Sequence, residues 1–118
     1  MDWMNPLFII PITTAPIFII AGLIGQKFPP KKINGLYGYR TSNSMKSQER
    51  WDFAQRYSAR EMIKWGLLMA LIGFIGLIIE LKAGIEVAIG LGIVILFVII
   101  LIIRTEKELK TRFKNEQN

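Results

Sequence analysis

Apolar and polar positions in this chain are segregated into blocks rather than interleaved. Apolar blocks span residues 3–25, 62–79 and 85–103, and the charge lies almost wholly between and after them. Such segregation predicts helices that cross a bilayer rather than a globular core. The first block has no ionisable residue and is long enough to cross roughly 30 Å of hydrocarbon at about 1.5 Å per residue. The link between the second and third, "ELKAGIE", is short, so these two should form an antiparallel hairpin. The expected fold is all-α: one membrane domain over 1–118 with three transmembrane helices, the second extended into the cytoplasm by an amphipathic helix.

The first block carries Pro6, Pro11 and Pro16. Pro6 suits a first helical turn, whereas Pro11 and Pro16 each remove a backbone hydrogen bond, which predicts a kink or local break near Thr13 and Thr14. Threonine hydroxyls or a neighbouring helix are the expected partners for the freed carbonyls. No Lys or Arg precedes Lys27, so the block lacks the basic start of a signal peptide and reads as a retained span.

Small residues recur at helical spacing in the other two blocks: Gly66, Ala70, Gly73 and Gly76 in one, Gly84, Ala88 and Gly92 in the next. Such stripes let helix backbones approach closely. The two arms of the hairpin are the expected partners, with a homo-oligomer as the alternative.

The polar segment 26–61 opens with Pro29-Pro30, which should stop the first helix. Asn34 before Gly35 signals a turn, and Gly35 and Gly38 permit positive φ. Asn43 and Ser44 are candidate caps for a helix starting near Ser47, with Glu49 and Asp52 favoured by the dipole at its start. Neither Pro nor Gly intervenes before Gly66, so this helix should run to Ile79 without a sharp bend, roughly 50 Å in all. Tyr37, Tyr39, Trp51 and Trp65 read as interfacial anchors. Arg40, between a glycine-bearing turn and a helix start, either meets an anion or ties the loop down by bonding carbonyls or pairing with Glu49 or Asp52. In the tail, Glu106 with Lys110 and Glu108 with Arg112 are spaced for i,i+4 pairs on a solvated helix.

Net charge is +6. Lys and Arg number none before the first block, eight in residues 26–61, one (Lys82) in the short link and five in the tail. This alternation puts the N-terminus outside, the motif segment and tail in the cytoplasm, and explains the charge without nucleic acid. His and Cys are both absent, which excludes disulfides, imidazole or thiolate metal sites, and a Ser-His relay. No metal and no cofactor are expected. Ionisable residues are also lacking between Trp3 and Gly25, Trp65 and Ile79, and Val87 and Ile103, which disfavours the alternative function, a small transporter or channel subunit. The serines (Ser42, Ser44, Ser47 and Ser58) all lie in the polar segment. A loop site built on Ser44 and Lys46 with Arg40 or Glu49 stays open as a weaker, catalytic reading; the expectation is a protein that is not an enzyme.

The string Asn34-x-x-x-Gly38-Tyr39-Arg40-Thr41-x-x-Ser44-Met45-Lys46-x-x-Glu49-x-Trp51-x-x-Ala54-Gln55, followed by an apolar hairpin, resembles the SdpI family of small bacterial membrane proteins. The family takes its name from an immunity protein against a secreted toxin, the sporulation-delaying protein. The resemblance implies a protein of the bacterial cell membrane that protects against a membrane-active peptide toxin. It further implies the toxin, and a cytoplasmic repressor held at the membrane, as partners. The motif positions it marks for partner binding are Asn34, Gly38, Tyr39, Arg40, Thr41, Ser44, Met45, Glu49, Trp51 and Gln55.

Overall fold

The computed structural model describes residues 2–114. Three helices follow one another: α1 (Pro6–Lys27), α2 (Gln48–Gly76) and α3 (Ala83–Arg112). The described residues contain no strand.

α1 and α2 are antiparallel neighbours along the whole length of α1, and small residues make this possible. A side chain on Gly22 of α1 would strike the Ala59 carbonyl at 2.6 Å. One on Gly66 of α2 would come within 2.7 Å of Ile19 and 3.2 Å of the Ala15 carbonyl. Gly73 lies against Phe8, Pro11 and Ile12, and Gly76 against the carbonyl of Leu7. That carbonyl is the one Pro11 leaves without its helical donor. Thr13 and Thr14 donate to the carbonyls of Ile9 and Ile10, at 2.6 and 2.7 Å. Of the two outcomes the prolines predict, a kink or a local break, the break does not occur: α1 is continuous from Pro6 to Lys27.

The stripes do not pair as the hairpin reading expected. The glycines of α2 face α1, while Gly84 and Gly92 of α3 have nothing within 4 Å. Gly90, between them, is the α3 glycine in contact, against Ile10 and the Pro6 carbonyl. Ala88 is exposed, and Ala70 packs beside the core formed by Ala15, Phe18, Met69 and Phe97. The reason is that α1 has its own small positions, Ala15, Gly22 and Gly25, which complement those of α2.

Asn5 joins the far ends of this pair. Its Oδ1 accepts from the Leu7 amide, capping α1, while its Nδ2 donates to the carbonyls of Gly76 and Ile79 at 2.9 and 2.7 Å. α2 stops at Gly76, three residues short of expectation. The chain then continues to Ile79 through i→i+3 hydrogen bonds from Leu77, Ile78 and Ile79.

α1 and the stretch Gly84–Arg112 of α3 are long and apolar enough to cross a membrane, and only 28% and 22% of their apolar windows is buried within the protein. A core helix of a soluble protein would be covered; these are bare. The helical part of α2 does not meet the same test. Its last eighteen residues include Arg60, Glu61 and Lys64, so the span expected over 62–79 carries a lysine in its first turn. Two qualifying helices, not three, are thus evident from length and composition.

Candidate functional site

The motif segment folds over the junction where α1 ends and α2 begins. α1 closes with the Phe28 amide on the Ile24 carbonyl, and Pro29-Pro30 turn the chain away. Trp51, fully buried, donates from its indole nitrogen to the Pro30 carbonyl at 2.6 Å. It is an internal anchor and not the interfacial one its type suggested. Asn34 accepts from the amides of Leu36 and Tyr37, forming the side-chain turn that its place before Gly35 predicted.

Gly38 then takes φ +105°, the one positive φ among the described residues; Gly35 does not need it. An added side chain at Gly38 would meet Gln55 Oε1 and Pro30 Cγ, both at 2.6 Å. This close approach lets Gln55 grip the next residue from both sides. Its Oε1 accepts from the Tyr39 amide at 2.7 Å, and its Nε2 donates to the Tyr39 carbonyl at 2.8 Å. A buried carboxamide on α2 thus stands in for a strand partner to one loop residue.

Thr41 and Ser44 close the following turn. The Thr41 amide donates to Ser44 Oγ at 2.9 Å and the Ser44 amide to Thr41 Oγ1 at 3.1 Å. The cap of α2 is Ser47, whose hydroxyl accepts from the Arg50 amide, and not Asn43 or Ser44. Asn43 instead accepts from the Arg50 guanidinium at 2.6 Å, and Ser44 Oγ is held by the Tyr39 and Thr41 carbonyls.

From this turn the motif reaches α3. Tyr39 Oη and Thr41 Oγ1 both donate to Glu106 Oε2, at 2.6 and 2.9 Å. Burial and then the neighbouring Glu106 carboxylate push the Tyr39 phenol far above its ordinary range, so it stays protonated and donating. Below the loop, Phe53 and Ala54 of α2 enclose Leu109 and Phe113 of the tail. Arg50 lies 5.3 Å from the Phe113 ring centroid and Arg112 lies 4.8 Å from that of Phe53. The tail is therefore packed rather than solvated on this face. Glu106 bonds the loop, and ion pairs to Lys110 or from Glu108 to Arg112 are not among those of the described residues.

A second tie lies one turn deeper. Glu61 of α2 is 5% exposed and accepts from Arg104 Nε of α3, from Trp65 Nε1 and from Lys64. Burial alone would raise its pKa, but these hydrogen bonds, that of Arg104 foremost, hold it below the usual carboxylate range. Lys64 projects its ammonium 5.3 Å from the Trp65 ring centroid and keeps it exposed.

Between the motif and the helices lies a cleft of about 370 Å³, walled by Ala21, Gly25, Ala59, Met62 and Leu101 and roofed by Gly38, Tyr39 and Gln55. Its lining is mainly apolar. Gly38, Tyr39, Thr41, Ser44, Trp51, Ala54 and Gln55 converge on one internal lock. Met45 and Glu49 point outward, and exposed Arg40 donates to the Gly35 carbonyl, the loop-tying role and not a pair with Glu49 or Asp52. Sequence reasoning missed Pro30, Arg50, Glu61, Arg104 and Glu106 as members of the junction.

The profile of the SdpI/YfhL protein family matches residues 31–105, more than half of the chain and every residue of the lock, while Pro30 and the tail partners from Glu106 onward lie outside it. The chain belongs to this family. A Bacillus subtilis (strain 168) relative, "Uncharacterized protein YfhL", is 51% identical over 59 residues, which are 50% of this chain and 54% of the relative. The chain thus matches about half the length of that family member. No solved structure matches it. Family membership and the two bare apolar helices together make this a membrane protein.

Proposed function

We propose that this protein is a non-catalytic immunity protein of the bacterial cell membrane, protecting its host against a membrane-active peptide toxin. The observation that carries the reading is membership of the SdpI/YfhL family, whose profile covers the motif segment. In this reading the chain threads the bilayer three times, with the N-terminus outside and the motif segment and tail in the cytoplasm. Support for the third crossing is geometric. α2 from Ala59 to Gly76 lies alongside α1 from Gly22 to Leu7, so if one of them spans, the other sits at the same depth. Asn5 fits this placement by bonding two backbone carbonyls at the end of α2. Support for the orientation is the distribution of Lys and Arg, with Lys64 joining the cytoplasmic set.

A catalytic reading finds little support, since Ser44 Oγ is committed to the turn around Tyr39 and Thr41. The residues left for a partner are the exposed ones of the motif, Arg40, Met45 and Glu49, and we assign them to contact with a peptide toxin or a cytoplasmic repressor. The test is survival of toxin-sensitive cells expressing the chain. Wild type should protect. Glu49→Gln and Met45→Ala should lose protection at unchanged abundance in the membrane. Equal survival with and without the wild-type protein removes the reading.

A further inference from the structure

We propose that the cleft beneath the motif loop binds one acyl chain of an anionic phospholipid, with the lysines at the end of α1 holding its phosphate. This goes beyond immunity and rests on the membrane placement alone. The cleft's volume of about 370 Å³ lies in the range of ligand sites, roughly 300–1,000 Å³. Its room comes from small residues on two helices, Ala21 and Gly25 on α1 and Ala59 on α2, with Leu101 of α3 facing them.

The roof offers an occupant little polarity. The Tyr39 amide and carbonyl and both ends of the Gln55 carboxamide already bond each other. Water needs two to four polar partners to fill such a space, so the fitting occupant is apolar.

The charge next to the cleft residues in sequence specifies what the apolar occupant is attached to. Lys27 follows Gly25 by two residues, and Lys31 and Lys32 follow Pro30, another cleft residue. All three lysines are exposed, and the ion pairs of the described residues, Lys64–Glu61 and Arg104–Glu61, include none of them. Residues 26–61 hold eight cations against the three acids Glu49, Asp52 and Glu61, and Glu61 is already paired. An apolar chain under an anionic head matches both halves of this site, and anionic lipid is what such a juxtamembrane cluster attracts. The side chain of an apolar peptide would use the cleft but not the lysines.

Native mass spectrometry of the full chain released from detergent, with dioleoyl phosphatidylglycerol and dioleoyl phosphatidylcholine in competition, tests this. Glycerol phosphate serves as the head without chains. Wild type should retain the anionic lipid over the zwitterionic one by about tenfold or more. Replacing Lys27, Lys31 and Lys32 together by Gln should bring the two lipids to near equality. Ala21→Phe, or Leu101→Phe from the opposite wall, should lower retention of both while helicity and melting stay as in wild type. Equal retention of the two lipids by wild type overturns the proposal. So does glycerol phosphate competing as well as the intact lipid, retention unchanged in both cleft-filling variants, or displacement of all lipid by an apolar peptide.

Discussion

Gln55 is the residue on which the motif loop turns. It bonds the part-buried amide and carbonyl of Tyr39 and has both of its own groups satisfied in return. Gln55→Ala leaves the Tyr39 amide without its acceptor, while the Tyr39 carbonyl keeps Ser44 Oγ, and should destabilise the fold by about 2 kcal/mol, read from denaturant unfolding in detergent; a loss under about 0.5 kcal/mol would mean water replaces the carboxamide. Gly38→Ala forces a side chain to positive φ and against Gln55 and Pro30, and should destabilise by at least about 1–2 kcal/mol in the same assay. Glu61 sets an acid limit. Its pKa is lowered in the fold, so the stability it contributes is present above the ordinary carboxylate range and is lost as pH falls through the lowered value. Melting of wild type should therefore drop on acidification, and Glu61→Gln should melt lower at neutral pH but show a smaller acid drop. An acid drop identical in both proteins would assign the effect elsewhere. The motif string was legible in the sequence as a string, but its partners were not. Tyr39 and Glu106 are 67 positions apart, and nothing local to either announces the other.

At the scale of helices, the small-residue stripes make opposite predictions. Gly66→Leu pushes into Ile19 and the Ala15 carbonyl and should separate α1 from α2, seen as lost folded yield and a lower melting temperature. Gly84→Leu and Gly92→Leu meet open space and should be neutral or raise helix stability by up to about 1 kcal/mol. If all three behaved alike, the assignment of the α2 stripe to α1 would fail. Helix existence and extent were readable from apolar length, proline placement and the run without Pro or Gly after Ser47. Pairing was not readable, because both stripes have the same spacing and sequence does not say which of two helices each one faces. The end of α2 was misjudged for a similar reason. Apolar character continues to Ile79, but Asn5, 71 and 74 positions away in the chain, bonds the Gly76 and Ile79 carbonyls where the chain tightens. The tail looked solvated because charge dominates it; Leu109 and Phe113, one turn apart, were the signal that it packs.

For the whole molecule, the motif loop locks one end of the α1–α2 pair to the α3 tail and Asn5 ties α1 to α2 at the other end; three crossings with the loop and tail in the cytoplasm are the topology we propose. The absence of cysteine makes a direct topology measurement clean, since every introduced thiol is the only one. Ser42, Lys82 and Thr111 are exposed and sit in the loop, the α2–α3 link and the tail. Single Ser42→Cys, Lys82→Cys and Thr111→Cys variants would be treated with a membrane-impermeant maleimide, in intact cells and after permeabilisation. In the proposed topology position 82 is labelled in intact cells, and positions 42 and 111 only once the membrane is opened. Labelling of all three from the same side would contradict it.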